Sequence, residues 1–364
     1  MKVIHFIWSA SFGGIEKVVI DLCKAQKASG NCDPTLLIGA KKGSFIEKIE
    51  KSGISYLFGG FKSGSALSPR LYKNLKSVMQ QYDLIHLHTF NPLVCFAAVK
   101  SGKPILYTIH GNFNFGRKMR LNDHINQYLR KLFFNHFINH ITFNSEFTKS
   151  TAIKRYGLDN VPSTIVYNGI PLPPADFTSQ ITGSPNLFVV GTSSRFAGFK
   201  RIDRLISAFG LFAQDKSDVK LMLVGDGVLR AALEQQVKDL NLSDKTEFTG
   251  YRPDVSNCQS AMNVCVFPSN NEPFGLVAIE TLSLGKPTII FNDGGGMKEI
   301  LSKELPDDIV KDVKDLALRL EYYYQHRYTE DTSQTALRKE IASRYSVEKM
   351  EQQMNAVYSI LLAS

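Results

Sequence analysis

The stretch FPSNNEPFGLVAIE, residues 267–280, places two glutamates eight positions apart on either side of a Pro-Phe-Gly turn. The apolar run before it ends in proline, which is typical of a buried parallel strand. Apolar residues then recur at helical spacing as far as Gly285, which favours a helix end there. The pattern predicts that Glu272 lies on a strand-to-helix loop, with Gly275 near the helix N-terminus and Glu280 about two turns inside the helix. Backbone N–H groups at that terminus suit an anionic or polyhydroxyl ligand; two solvated surface glutamates are the alternative interpretation.

The same alternation of short apolar runs and amphipathic segments extends along the whole chain, which predicts an α/β protein with doubly wound parallel sheets. In the first half, strands are predicted at 2–8, 34–38, 54–58, 84–88, 105–110, 140–144 and 163–169. In the second half, strands are predicted at 187–192, 219–224, 246–250, 263–268 and 288–291. From about residue 329 onward only a helical pattern remains.

A proline-rich segment at 170–175 reads as a linker between two domains. We therefore expect a first domain over 1–170 and a second over 171–344, with a closing amphipathic helix at about 345–364 that packs back onto the first. Two such domains predict a cleft between them, which is the usual place for a small-molecule site.

Composition limits the class of protein. A chain of 364 residues with 43% hydrophobic content can fill two cores. The five cysteines form no CxxC pair, which indicates buried free thiols in a reducing compartment. The apolar start is too short for a signal peptide, and no run of about 18 uncharged apolar residues exists. We expect a cytoplasmic protein that is soluble or at most peripheral on a membrane.

Charge is unevenly spread between the two halves. Residues 1–170 hold 22 Lys and Arg against 9 Asp and Glu, whereas the remainder holds 21 against 25. Residues 113–137 also mix aromatic side chains with cations, including Arg117 and Lys118, as an interfacial helix does. This favours an anionic partner for the first half, such as a membrane surface or an acidic acceptor. Scattered solvated cations and an ordinary core-facing helix are the alternatives.

Three features of the second half suit parts of one ligand. Arg195 and Lys200 flank a glycine loop, and this pairing of a fork donor with a point charge suits a diphosphate. Glu272 and Glu280 can accept hydrogen bonds from vicinal hydroxyls. The glycine run at 294–296 permits close backbone approach to a ligand. A diphosphate together with diols points to a nucleotide-sugar.

With these residues in place, the chain resembles the glycosyltransferases of family 4, which have the GT-B fold of two Rossmann-like domains. The resemblance extends nearly end to end, and the spacing of the glutamate pair is its most specific part. The matching segments are GGIE at 13–16, DLIHLH at 83–88, TIHG at 108–111, YNGI at 167–170, Arg195 with Lys200, VGDG at 224–227, FTG at 248–250, and Glu272 with Glu280.

The resemblance implies catalytic roles at four positions. Arg195 and Lys200 would hold the donor diphosphate and neutralise charge as the nucleotide leaves. Glu272 would bind the donor sugar, and His110 would line the reaction centre from the other domain. His86 and His88 are expected to be structural or acceptor-facing, because two histidines without a third ligand make a zinc site improbable.

The resemblance also implies a wider set of donor-binding residues. Glu280 would accept the ribose hydroxyls of the nucleotide. The others are Gly13 and Gly14 beside the phosphates or the acceptor, Tyr251 and Arg252 near the base, and Phe274, Gly275 and Leu276 around the sugar. One departure from the family pattern concerns 297–308, where a further glycine is often found and this chain has none. Donor-sugar contacts in that segment are therefore open.

The function implied by the resemblance is retaining transfer of a hexose without a metal or other cofactor. We expect a UDP-sugar donor, with GDP-sugars as the alternative, and a cell-surface glycan, lipopolysaccharide, capsule or lipid-linked acceptor. Arg195 and Lys200 can replace a divalent ion. A nucleotide-sugar epimerase or hydrolase of the same fold is the second interpretation. A basic nucleic-acid-binding protein is the third, although no recognition-helix, aromatic-sheet or zinc pattern supports it.

Overall fold

The computed structural model describes residues 1–10, 13–40, 46–61, 68–111, 121–158, 160–174, 177, 186–329 and 331–363, without the side chains of residues 121 and 122. The chain divides into two compact units. The first unit is Met1–Pro171 together with Ser346–Ser364, and the second unit is Leu172–Tyr345. The predicted cationic positions Arg117 and Lys118 lie outside the described residues.

The first unit is built on a parallel sheet in the order β3-β2-β1-β4-β5-β6-β7. Its strands are β1 Lys2–Ile7, β2 Asp33–Ala40, β3 Ser55–Phe61, β4 Leu84–Leu87, β5 Ile105–Ile109, β6 His140–Phe143 and β7 Ser163–Ile165. Its helices are α1 Gly14–Ser29, α2 Ile46–Ser52, α3 Pro69–Met79, α4 Pro92–Ser101, α5 Leu121–His136, α6 Glu146–Tyr156 and α14 Val347–Ala363. Chain order reverses between β1 and β4, so this is the topological switch point where ligands of such sheets bind.

The final helix α14 belongs to the first unit, because its apolar face packs against α1. Met350, Met354 and Leu361 are buried on that face. The Ser29 hydroxyl of α1 donates a hydrogen bond to Glu351 of α14 at 2.6 Å. The amphipathic pattern of the last residues is thus explained by burial on the first sheet's helical layer.

The second unit repeats the architecture with the strand order β10-β9-β8-β11-β12-β13. Its strands are β8 Phe188–Ser193, β9 Val219–Val224, β10 Thr246–Gly250, β11 Val264–Phe267, β12 Thr288–Phe291 and β13 Ile309–Val310. Its helices are α7 Ile202–Phe212, α8 Arg230–Asp239, α9 Val255–Ser260, α10 Leu276–Ser283, α11 Met297–Leu301, α12 Val313–Gln325 and α13 Thr332–Ser343. Its switch point lies between β8 and β11. Among the residues described in both units, no helix is long and apolar enough to cross a bilayer.

The prediction of two doubly wound parallel sheets is confirmed. Four elements of the second unit were missed, α9, α11, α12 and β13, because each is short or lies in a polar stretch that gives little apolar periodicity. The depth of Glu280 was overestimated. It is the fifth residue of α10, one turn from the N-terminus, because the helix begins only at Leu276.

Candidate functional site

Three loops meet at the carboxyl edge of the second sheet, beside its switch point. They follow β8, β11 and β12, and main-chain hydrogen bonds tie them together. The Asn270 N–H donates to the carbonyl of Phe199 at 2.9 Å, and the Asn271 N–H donates to that of Asp293 at 2.9 Å. The Gly296 N–H donates to the Glu272 carbonyl at 2.8 Å. The position of Glu272 is therefore fixed by backbone contacts on both sides.

Two glycines at this edge allow neighbouring loops to pack closely. A Cβ on Gly295, which has φ +65°, would overlap the Glu272 backbone. A Cβ on Gly275, which has φ +100°, would overlap the Met297 side chain. The close approach predicted for the glycine run at 294–296 is thus made to the main chain of the Glu272 loop. Met297 opens α11 and fills the space beside Gly275.

Lys200 and Glu272 form an ion pair at the switch point. The Lys200 Nζ lies 2.7 Å from Glu272 Oε2, and the two side chains are only 13% and 14% exposed. Because partial burial lowers the effective dielectric, such a pair is stronger than a fully solvated one. The sequence assigned these two residues to different parts of the ligand, and the structure places them in direct contact.

Arg195 lies on the loop after β8, and Glu280 lies on α10. Arg195 is exposed, and none of the described residues pairs with its guanidinium. Its loop is held against the loop after β9, where a Cβ on Gly225 or Gly227 would overlap the backbone of Ser194 or Phe196. Glu280 is partly buried. Of the two predicted cations on the loop after β8, Lys200 is therefore already paired, whereas Arg195 is exposed to solvent.

Phe274 and Leu276 frame the start of α10. Phe274 is 2% exposed and packs edge-on against Tyr345, with ring centroids 5.7 Å apart. Gly275 caps the helix and Leu276 is its first residue, so the free N–H groups of the first turn follow directly after Glu272.

Tyr251 and Arg252 follow β10 at the same edge of the sheet. Tyr251 is 62% exposed. Arg252 makes a two-point contact with Asp254, Nε to Oδ1 at 2.9 Å and Nη2 to Oδ2 at 2.7 Å. The hydrogen bonds to Asp254 raise the Arg252 pKa. The guanidinium of Arg252 is thus already engaged in a contact with Asp254.

In the first unit, Gly13 and Gly14 lie at the N-terminus of α1, after β1. Gly13 has an extended backbone with φ −155°, and a Cβ there would overlap the Glu16 carboxylate. Gly14 opens the helix, with nothing within 4 Å of a Cβ placed on it. Among the described residues, the space beside Gly14 is thus open, whereas the Glu16 carboxylate fills the space beside Gly13.

His110 follows β5 and ends a row of hydrogen-bonded imidazoles. His110 Nε2 lies 3.1 Å from His88 Nδ1, and His88 Nε2 lies 3.1 Å from His5 Nδ1. Burial lowers the pKa of His110 to about 4 and that of His5 to about 3, and it holds the pKa of His88 well below the ordinary value. All three imidazoles are therefore neutral at physiological pH.

His86 lies in a second branch of this network. Its Nδ1 is 2.7 Å from the Tyr358 hydroxyl of α14, and its Nε2 is 2.6 Å from the Thr108 hydroxyl. The expectation that no third histidine accompanies His86 and His88 is wrong, because the parallel register of β1 and β4 places His5 opposite His86. Both ring nitrogens of His86 are hydrogen-bonded, so these rings form part of a buried polar network.

Comparison with known proteins agrees with this architecture. Residues 12–172 match the model for Glycosyltransferase Family 4, and residues 176–339 match that for Glycosyl transferases group 1. Over 99% of its length the chain resembles HepE of Anabaena, solved in complex with UDP, with a TM-score of 0.82, 23% identity and all of that chain covered.

Curated relatives match over shorter spans. The uncharacterized glycosyltransferase YqgM of Bacillus subtilis is 26% identical over 62% of this chain and 63% of its own length. The lipopolysaccharide core biosynthesis glycosyltransferase LpsD of Rhizobium meliloti is 36% identical over 33% of each chain. The chain therefore spans less than two thirds of these relatives. The two family models cover successive parts of the chain, one on each sheet, so the chain has a Glycosyltransferase Family 4 domain followed by a Glycosyl transferases group 1 domain.

Proposed function

We propose that this protein is a retaining glycosyltransferase that moves a hexose from a UDP-sugar to a glycan or lipid-linked acceptor. The observation that carries the proposal is the Lys200–Glu272 ion pair at the switch point of the second sheet, with the exposed Arg195 on the same loop as Lys200. UDP is preferred over GDP because HepE has been solved with UDP and with UDP-glucose. GDP-sugars are the alternative donors.

In this proposal the donor breaks the Lys200–Glu272 ion pair when it binds. The incoming diphosphate competes with Glu272 for the Lys200 ammonium and also recruits Arg195. Glu272, released from Lys200, then accepts hydrogen bonds from the sugar hydroxyls. Glu280 accepts those of the ribose, and the exposed Tyr251 ring stacks on the base. Each group of the donor is thereby assigned a separate partner.

The chemistry then depends on stabilising the leaving group. As the bond between the anomeric carbon and the phosphate oxygen breaks, negative charge grows on the diphosphate. Lys200 and Arg195 neutralise that charge without a metal ion. The acceptor hydroxyl attacks from the face that the nucleotide leaves, and its proton passes to the departing phosphate oxygen. Retention of configuration follows, and no carboxylate base is required.

His110 has a different part in this scheme. A neutral imidazole attracts a diphosphate only weakly, so His110 is assigned to a sugar or acceptor hydroxyl rather than to the phosphates. Gly13 and Gly14 offer backbone N–H groups to the phosphates or to the acceptor.

The basic first unit is proposed to face an anionic membrane or acceptor. Ile125, Tyr128 and Lys131 of α5 are exposed, which is the mixture of apolar and cationic groups found on interfacial helices. Liposome co-sedimentation should therefore increase with anionic lipid content and fall with added salt. Equal sedimentation with neutral and anionic vesicles would remove the membrane from the proposal.

Calorimetry with a panel of UDP- and GDP-sugars tests the donor site. We expect one UDP-sugar to bind, and we expect Lys200→Ala and Glu280→Ala to abolish that binding. Lys216→Ala is the matched control, since Lys216 also forms a part-buried ion pair, to Glu321 at 2.8 Å. Unchanged donor affinity in both site variants would refute the assignment. Isomerised or hydrolysed donor without transfer in the presence of acceptors would favour the epimerase or hydrolase.

A further inference from the structure

Two residues with a strained backbone lie directly beside the Lys200–Glu272 ion pair. Arg201, which follows Lys200, has φ +48°, and Asn271, which precedes Glu272, has φ +50°. Residues with a Cβ seldom adopt this left-handed conformation, and they keep it only where surrounding contacts fix it. Among the described residues other than glycine, one further position has a positive φ, Asn241 with φ +54°. Most of this strain is therefore located at the ion pair, and neighbouring contacts must maintain it.

Arg201 is the joint between the turn that carries Lys200 and helix α7. Lys200 ends a single 3₁₀ turn, Gly198–Lys200, and α7 starts at Ile202. The Arg201 guanidinium contacts the Asp203 carboxylate at two points, Nε to Oδ1 at 3.0 Å and Nη2 to Oδ2 at 2.9 Å. A change in the direction of α7 at this joint would therefore move the Lys200 ammonium.

Asp293, which follows β12, contacts the segments on both sides of the ion pair. Its Oδ1 accepts a hydrogen bond at 2.8 Å from Arg204 Nη1, in the first turn of α7. Its main-chain carbonyl accepts a hydrogen bond at 2.9 Å from the N–H of Asn271. The Arg204 guanidinium also lies over the Phe291 ring, 5.0 Å from the ring centroid, which restricts its direction. One residue therefore ties the two strained segments to each other.

We infer that Asp293 is a positioning residue, which through Arg204 and Asn271 fixes the direction of both members of the ion pair. The Arg204–Asp293 contact has side chains that are 19% and 41% exposed, and ion pairs of this kind contribute little to the stability of a fold. Its loss should therefore disturb the direction of the two site residues more than it disturbs the folded state. The consequence for turnover rests on the proposed function, whereas the consequence for local structure does not.

Hydrogen–deuterium exchange of the full-length protein measures the local effect without any substrate. Asp293→Ala keeps the main-chain carbonyl and removes the acceptor of Arg204, so we expect faster exchange in peptides that span 196–204 and 268–274. Arg204→Met should give the same change. Arg204→Lys keeps a cation opposite Asp293 and should retain the exchange of the unmodified protein. Unchanged exchange in both Asp293→Ala and Arg204→Met would overturn the inference.

Steady-state kinetics separate a positioning role from a binding role. A less well-held lysine still reaches the diphosphate in the ground state, but stabilising the charge that develops on the leaving group depends on precise geometry. We therefore expect Asp293→Ala to lower kcat by about tenfold, while the Kd for UDP, measured by calorimetry, changes by less than about threefold. The double variant Arg204→Met/Asp293→Ala should fall no further than either single variant, because both remove one contact. A Kd that rises as much as kcat falls would mean that Asp293 binds the donor itself, and the positioning role would be wrong.

Lys220→Met is the matched control, because it breaks a similarly exposed ion pair, from Lys220 to Glu247 at 2.5 Å, between β9 and β10. An equal fall in kcat in this variant would show a general effect of lost charge and would overturn the inference. If exchange changed in Asp293→Ala while kcat did not, Asp293 would still fix the two segments. The part assigned to Lys200 and Glu272 in the proposed function would then be the claim that fails.

Discussion

The two sheets share one strand order, yet their switch points hold opposite kinds of polar group. In the first unit, β1 and β4 carry neutral histidines that are wholly buried. In the second unit, the loops after β8 and β11 carry an ion pair and an exposed arginine. The same architecture therefore offers hydrogen bonds without charge at one site and charge at the other.

The difference follows from where the polar groups lie along each strand. His5 and His86 are inside strands, where burying a charge is costly and a neutral imidazole is tolerated. Lys200 and Glu272 lie beyond the strand ends, where water still reaches them. A neutral site suits hydroxyl groups, and a charged site suits a diphosphate. The division supports an acceptor role for the first unit and a donor role for the second.

Breaking the charged site should have the largest effect. Lys200→Met removes the cation that neutralises the leaving diphosphate, and we expect kcat to fall by about 10²–10³-fold, as when one preorganised donor to a developing charge is lost. Steady-state kinetics with the preferred donor provides the measurement, and Lys216→Met serves as the control. A decrease in kcat of less than threefold would mean that Lys200 does not stabilise the leaving diphosphate, and the proposed charged role of the second unit would be wrong.

Acid should selectively destabilise the neutral site. Unfolded histidine titrates near pH ~6.5, and the folded pKa values lie lower, at about 4 for His110 and about 3 for His5. The unfolded state therefore binds more protons, and the free energy of unfolding falls as pH drops from ~6.5 toward those values, by up to ~1.4 kcal/mol per pH unit for each histidine. Fluorescence of Trp8, the single tryptophan, follows unfolding of the first unit. A denaturation midpoint that stays constant from pH 7 to pH 5 would contradict this.

Removing one hydroxyl from the neutral site should have a smaller effect. Tyr358→Phe deletes the group that joins Gln26 to His86, and it leaves two buried partners unsatisfied. We expect the unfolding free energy of the first unit to fall by about 1–3 kcal/mol. Chemical denaturation followed through Trp8 measures it, with Tyr128→Phe as the exposed control. Equal stability of the two variants would show that the network contributes no net stability.

The smallest effect is expected at Arg252. Its guanidinium is already paired with Asp254, so little of its charge is available to the donor. Arg252→Ala should weaken UDP affinity by less than about tenfold, that is, less than ~1.4 kcal/mol. Calorimetry against Lys200→Ala gives the comparison. A loss as large as that of Lys200→Ala would show that Arg252 exchanges Asp254 for the donor.

Local patterns predicted most of the strands and the position of the Glu272 loop. Apolar periodicity is a property of neighbouring residues, which is why β1 and β11 were located within one or two residues. The helix start near Gly275 was predicted correctly, and the error at Glu280 was one of length, because the step from Gly275 to Glu280 is little more than one turn at ~3.6 residues per turn. The glycine run at 294–296 was predicted to contact a ligand, whereas in the structure it contacts the main chain of the Glu272 loop. A sequence shows that a glycine backbone can approach another group closely, but it does not identify that group.

Contacts between distant residues could not be predicted. The Lys200–Glu272 pair joins residues 72 positions apart, and Gln26 and Tyr358 are 332 apart. Neither His5 nor Tyr358 has a local signal that distinguishes it from an ordinary buried residue. Only the strand register and the docking of α14 bring them together. The roles of the individual site residues stay predictions until the variants are measured.

The docking of α14 on the first unit sets the order in which the chain can fold during synthesis. Tyr358 completes the hydrogen bonds of His86 and Gln26. These buried polar groups of the first unit therefore stay unsatisfied until α14 has been synthesised and has docked. Residues 172–345 are made in between, which takes about 10–35 s at ~5–20 residues per second. Throughout that interval the apolar surface of α1 is uncovered. The nascent first unit is thus the part of this protein most exposed to chaperones and to aggregation.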